Sequence, residues 1–428
     1  MINFKKKVLS NGLRVVLAPM ENTEAATLSV LVGAGSRYET KNINGVSHFL
    51  EHLFFKGTKS RPKPGQVFKD LDKIGAAYNA FTSKESTGFW VKSATEDFDI
   101  GLDIVSDILL EPLFKPEEIE KERGVILQEI NMIEDDPMRK VWDIFENVFY
   151  GDQPIGWDIA GNKETIMSIN RKNIIGYRNK NYLSKNMVVA AAGKINQAEV
   201  FKKIEKVFGR IKKGKNSGRK DAKIFQRKPE VKILNKDSDQ SHLAMGFHAY
   251  DMYDEKMYAL NLLSVILGGN FSSKLMMEIR EKLGLAYYVF SFGDQNTDCG
   301  SIGMGAGVGH DNLEKTVKKI FEVISKIKSN GVSKSDLSDG KSFIRGQRVL
   351  KMESSSEIAS FCSGRELFYK KILQPEELDK KFEKVSQNDI LKVANEVFRP
   401  GRFNMAVIGK HDDGLEKEKF CRNLFSKI

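Results

Sequence analysis

The sequence predicts an α+β protein of two homologous halves, each a mostly antiparallel sheet packed with helices, closing like a clam around a cleft. Three observations predict it. The chain has 428 residues, too many for one ordinary hydrophobic core. An ordered series of landmarks occurs twice along it. A polar, unpatterned stretch separates the two occurrences.

In the first half, Phe4 to Leu17 with a turn at Asn11-Gly12, and then the alternating stretch Ala26–Val32, read as strands entering a sheet. A helix candidate follows over Gly45–Lys56, and Lys73-Ile74-Gly75-Ala76-Ala77-Tyr78 opens a strand hairpin. Apolar periodicity predicts helices over Ile100–Leu110 and Pro116–Glu134. Asn186-Met187-Val188-Val189, leading to Gly193-Lys194, is a strand that closes the unit. The second half repeats this order. It has strands at Val231–Leu234 and His242–Phe247, a helix at Tyr258–Leu267 and a hairpin opened by Lys282-Leu283-Gly284-Leu285-Ala286-Tyr287. Helical stretches over Leu313–Ile327 and Glu376–Phe398 precede a closing strand in Asn404–Lys410. Between the halves Lys212–Asp221 is polar and glycine-bearing, which marks a linker. Residues 1–215 are expected to form one domain and 216–428 the other, with the linker running to about residue 220.

Composition narrows the function classes. A hydrophobic fraction of 41% with 29% charged residues describes a globular chain rather than a disordered one. The balance of 68 basic against 57 acidic residues gives +11, but lysine is spread along the chain and no basic block is interleaved with aromatics. Nucleic acid is therefore not an expected partner. No run approaches the roughly 18 apolar residues that cross a bilayer, so no membrane partner is expected either. Cys299, Cys362 and Cys421 lack metal-knuckle or redox spacing and read as reduced thiols. Ser10-Asn11-Gly12-Leu13-Arg14 interrupts any signal-peptide core after the basic start. The expected location is the cytoplasm of a bacterium or, for a matured chain, the mitochondrial matrix.

The chemistry concentrates in Val46-Ser47-His48-Phe49-Leu50-Glu51-His52, where histidines stand at i and i+4 with a glutamate at i+3. On a helix all three share one face. Two imidazoles one turn apart supply two corners of a zinc tetrahedron without backbone strain, and a catalytic site needs a third protein ligand with the fourth position left to water. The order His-x-x-Glu-His inverts the familiar zinc-peptidase motif, as in inverzincins. Glu51 then takes the proton of the attacking water, whose pKa zinc lowers to about 7. For the third ligand, the carboxylate-rich stretch Glu117–Ile130 offers Glu122 and Glu129, seven apart and bordering an apolar stripe of Ile119, Val125, Ile126, Ile130 and Ile133. Spacing alone leaves both open.

Taken together, His48-Phe49-Leu50-Glu51-His52 with Lys56-Gly57-Thr58, Asn79-Ala80-Phe81-Thr82-Ser83 and Glu122-Arg123-Gly124-Val125-Ile126-Leu127-Gln128-Glu129 resemble the pitrilysin/insulinase family of zinc peptidases. The likeness is nearest to the mitochondrial processing peptidase β-subunits and their bacterial relatives, and spans essentially the whole chain. It implies one Zn2+ per chain, held by His48, His52 and Glu129, with Glu122 supporting the ligands from behind. It implies that Asn79, Ala80 and Phe81 lie on an edge strand to which an extended substrate adds by backbone pairing. In the second half the helix at Leu262–Asn270 carries no histidine pair, but Arg280-Glu281-Lys282-Leu283-Gly284-Leu285-Ala286-Tyr287 resembles the family's Arg/Tyr pair. Arg280 and Tyr287 are thereby implied to hold substrate and polarise the scissile carbonyl.

The short loop Leu267-Gly268-Gly269-Asn270-Phe271 resembles that of active members rather than of the silent partner subunit. The expected activity is zinc-dependent hydrolysis of peptides held extended in an enclosed cavity. The alternative is a non-catalytic scaffold subunit. Family members of this length pair two chains, so a homodimer, or a heterodimer with a homologous subunit, is the expected assembly.

Overall fold

Eleven strands in two sheets carry the repeat among the residues described, 2–428, in the computed structural model of this chain. The first sheet contains β1 (Lys5–Val8), β2 (Arg14–Pro19), β3 (Ala25–Val32), β4 (Ala77–Thr82), β5 (Thr87–Ala94) and β6 (Met187–Gly193), in the order β1-β2-β6-β3-β5-β4. The second contains β7 (Glu230–Asn235), β8 (Ser241–Ala249), β9 (Ala286–Gln295), β10 (Gly300–Val308) and β11 (Phe403–Gly409), in the order β7-β11-β8-β10-β9. Without β1 the two orders are the same. In each sheet the closing strand, β6 or β11, runs parallel to the opening one, and every other pairing is antiparallel. The closing strands lie inside the sheets, between the first and second strands of each repeat.

The central strands of both sheets are buried on two faces. In β2 and β6, Val15, Leu17, Val189 and Ala191 face one core, shared with Phe49, Leu50 and Phe54. Val16, Ala18, Val188, Ala190 and Ala192 face the other way. That alternation explains why β6 is apolar without interruption. The first core is covered by α1 (Val46–Phe54), α2 (Gln66–Lys73), α3 (Phe98–Leu110) and the first part of α4 (Pro116–Asp135). The opposite face is covered by the helix Ser355–Gly364, through Ile358, Ala359 and Cys362, and Thr27 and Ser355 share a buried hydroxyl contact of 2.8 Å. The second sheet is treated likewise: α5 (Pro137–Tyr150) lays Val141, Phe145 and Phe149 over Ala244, Ala406 and Ile408.

Each sheet thus borrows its second cover from the other half of the sequence. One compact unit consists of Met1–Ile130, Trp157–Lys220 and Arg348–Glu376; the other of Asn131–Gly156, Asp221–Gln347 and Glu377–Ile428. This differs from the contiguous division 1–215 and 216–428: the chain does pass between units at Lys220, but two segments are exchanged. Neither exchanged helix belongs to the repeated landmarks, so nothing local marked it.

Two further expectations are corrected. Glu376–Phe398 is two helices, Pro375–Glu383 and Gln387–Val397, because Ser386 opens the second with a reciprocal capping box to Asp389. Val125 is 47% exposed, so it lies off the apolar face of α4 that buries Ile119, Ile126 and Ile130. Cys299, Cys362 and Cys421 are buried and none is in a disulfide. No helix among the described residues is long and apolar enough to cross a membrane.

Candidate metal centre

The geometry of α1 decides the site. Its buried face, Val46, Phe49, Leu50, Leu53 and Phe54, fixes the helix against the core, and His48, Glu51 and His52 occupy the half-buried opposite face. The helix is entered through Gly45 at φ +95°, where a Cβ would meet the carbonyl oxygen of Ala160 at 2.6 Å. The first-turn amides are not capped from Gly45 itself. Instead the buried carboxyl of Glu39 accepts the N–H groups of Gly45 and Ser47, each at 2.8 Å, the side-chain amide of Asn44 at 2.9 Å and the hydroxyl of Ser47.

Nε2 of His48 lies 3.8 Å from Oε2 of Glu129, and Nε2 of His52 lies 3.6 Å from the same oxygen. The three donor atoms all fall within 4.8 Å of one another, and this is the one such group of three among the described residues. Two donors of a tetrahedral zinc with bonds of about 2.1 Å stand about 3.4 Å apart, so the donor set and its spacing fit that ion. Glu129 is the most exposed of the three at 42%, against 13% for His48 and 21% for His52, which leaves its side of the cluster open to solvent. Burial, and next the neighbouring His52, lower the pKa of His48 to about 4, so its imidazole is in the neutral, ligating form at neutral pH.

Glu122 stands behind the cluster. The Nδ1–H of His52 donates to Oε2 of Glu122 at 3.2 Å, which leaves Nε2 free to ligate, and Lys56 Nζ donates to Oε1 at 2.7 Å. Burial works to raise the pKa of Glu122, but the hydrogen bonds from His52 and Lys56 outweigh it and hold the carboxyl below its ordinary range. The two carboxylates that spacing could not separate therefore both reach the histidines, at different nitrogens.

Glu51 accepts a hydrogen bond from the hydroxyl of Thr82 at 2.6 Å. Burial raises its pKa, Thr82 and His52 oppose the rise, and the charge of Glu129 adds to it. Thr82 ends β4, the edge strand of the first sheet, and Asn79, Ala80 and Phe81 precede it there. Asn79 and Phe81 are exposed, Ala80 is half-buried, and the N–H of Ala80 donates to Oδ1 of Asn79 at 2.9 Å. In the other unit the guanidinium of Arg280 lies 5.8 Å from the ring of Tyr287 and 6.0 Å from that of Phe271, with Tyr287 75% and Phe271 76% exposed.

Sequence reasoning quoted Lys56 and Thr82 within motifs without giving them roles. Lys56, one turn past His52, carried a usable helical signal. Glu39 carried none, because its partners lie in a turn that bends the chain back on itself.

The family model described as insulinase (peptidase family M16) matches residues 14–163, and the one described as peptidase M16 inactive domain matches residues 168–343. Among similar proteins, an uncharacterized zinc protease of Bacillus subtilis, YmxG, is 33% identical over 395 residues, covering 92% of this chain and 95% of that one. An uncharacterized zinc protease of Rickettsia felis is 32% identical over 411 residues, covering 96% and 98%. The crystal structure of a protease from Helicobacter pylori superimposes with a TM-score of 0.90 at 26% identity, covering 95% of this chain and 100% of that one. By its similarity over nearly the full length of these relatives, this chain belongs to the insulinase family of peptidases, peptidase family M16.

Proposed function

We propose that the chain is a zinc-dependent endopeptidase acting on peptides held in extended conformation. The observation that carries this reading is the convergence of His48, His52 and Glu129, with the half-buried Glu51 on the same face of α1 as the two histidines. Zinc bound there supplies a Lewis acid that polarises the scissile carbonyl and lowers the pKa of the attacking water to about 7. Glu51, oriented by Thr82, accepts the proton of that water and delivers it to the departing amine, so no net proton is consumed by the base. Glu122 and Lys56 keep the His52 ring turned so that Nε2 faces the ion. The free edge of β4 pairs with the peptide backbone, displacing the Asn79 side chain from the N–H of Ala80. Arg280 and Tyr287 belong to the same reading, as donors to the substrate carbonyl as it gains negative charge.

Metal analysis and peptide hydrolysis test it. The protein should hold one zinc per chain and His48→Ala should lose it. Glu51→Gln should keep the zinc and lower hydrolysis of a quenched-fluorescent peptide library at least a hundredfold. Unchanged turnover in Glu51→Gln would remove that residue from the role of base, and a metal-free protein of equal stability would return the chain to the scaffold reading. Pairing of two chains belongs to the proposal as well: sedimentation should show a dimer, and an active monomer would overturn it.

A further inference from the structure

The first unit contains a second site-like feature that the peptidase reading does not use. A cavity of about 340 Å³ opens between the end of α3, the end of the helix Arg171–Asn181 and the residues that follow the helix Gln197–Phe208. Three cationic residues, Arg178, Arg210 and Lys212, line it together with the neutral Asn179 and Tyr182, and no carboxylate does. Elsewhere in the unit guanidinium groups near a carboxylate take it; Arg61, for example, engages Asp70, Asp103 and Asp107 at 2.7–2.8 Å. Among the described residues none of the three cavity cations has an ion pair. Glu111, whose charge acts on Arg178, is itself held by Lys59 at 2.5 Å.

Arg178 is not a loosely hydrated surface charge. Its Nη2 donates to the carbonyl oxygens of Leu109 at 2.8 Å and Leu110 at 3.0 Å, which fixes the guanidinium, and its Nε is buried with no hydrogen-bond partner. A fixed, partly desolvated cation with a free donor is costly unless a negative group meets it. The exposed Arg210 and Lys212 line the same space from another segment, so its rim carries three cationic residues and no carboxylate. Apart from Asn179 and the Tyr182 ring, the remaining wall is aliphatic and includes Leu183 and Met187. The volume lies at the small end of the range for small-molecule pockets.

We propose that this cavity binds a small organic anion, a carboxylate or phosphate group carried on a compact apolar body, with the anionic head between Arg178, Arg210 and Lys212 and the body against Leu183 and Met187. A planar guanidinium held in place suits either head group. The site is separate from the candidate metal centre: Tyr182 forms a wall of the cavity, and its ring packs on Phe54, on the core side of α1, at 5.3 Å.

Calorimetric titration of the full chain with octanoate, phenyl phosphate and inorganic phosphate tests the proposal. Octanoate or phenyl phosphate should bind saturably at one site per chain. The double variant Arg210→Ala/Lys212→Ala, which leaves the Arg178 contacts with α3 in place, should weaken that binding tenfold or more while zinc content and the circular dichroism spectrum stay unchanged. A second variant, Leu183→Glu, places a carboxylate in the cavity and should abolish binding. Comparing the probes assigns the head group. Inorganic phosphate binding as tightly as phenyl phosphate would overturn the role of the apolar wall. No saturable binding of any probe, or binding that survives the double variant, would overturn the site.

Discussion

His52 is held at both ring nitrogens by carboxylates from α4, one turned toward the ion position and one away from it. The second contact predicts a graded response. Glu122→Gln should retain the fold but lower zinc affinity about 10- to 100-fold, read by competition with a chromophoric chelator. Lys56→Met, which only loosens Glu122, should cost less, and a larger loss than in Glu122→Gln would contradict this ordering. Glu39 makes a different prediction, about pH. Burial pushes its pKa up to about 7 from 4.5, against the hydrogen bonds it accepts from Ser47, Asn44 and Gly45. The unfolded chain gives up this proton at lower pH than the folded one, so between about 4.5 and 7 the folded state binds more protons. Stability from this group is therefore present below that window and falls as pH rises through it. Glu39→Gln cannot titrate there, so it should gain stability relative to the parent chain when urea unfolding is compared at pH 5 and pH 8. A difference that stays constant between those pH values would show that Glu39 does not titrate in the window.

At the scale of elements, β4 joins the proposed base to the proposed substrate edge. Its last residue, Thr82, bonds Glu51, and its outer side is the free edge of the sheet. An antiparallel or parallel peptide added to an edge meets outward-facing backbone groups only at every second residue. A series of substrate peptides N-methylated one position at a time should therefore lose kcat/KM in an alternating pattern, by about fivefold at sensitive positions, the value of one net hydrogen bond of about 1 kcal/mol. Uniform loss, or none, would separate substrate binding from strand addition. The entry to α1 makes a related point: a left-handed glycine and a carboxyl from six residues upstream together start the helix that carries three of the site residues, so its orientation does not rest on the helix alone.

At the scale of the whole molecule, the exchanged helices set what can fold alone. The piece 1–220 lacks the helix Ser355–Gly364, which covers Val16, Ala18, Val188, Ala190 and Ala192. Expressed by itself it should aggregate or unfold without a cooperative transition, and co-expression with 221–428 should restore soluble protein; a stable, cooperative 1–220 fragment would contradict the exchange. That exchange is where sequence reading stopped. By itself the sequence determined the duplicated order of strands and helices, because periods of two and 3.6 and glycine-marked turns are local properties of neighbouring residues. It also determined that His48, Glu51 and His52 share a face, since four residues make one helical turn. The tertiary structure decided that β6 and β11 insert inside their sheets, that Glu129 meets the metal-binding nitrogens while Glu122 meets the other side of His52, and that each sheet is completed by a helix from the opposite half. Those outcomes depend on which distant apolar faces bury one another, and hydrophobic attraction carries no address in the local sequence.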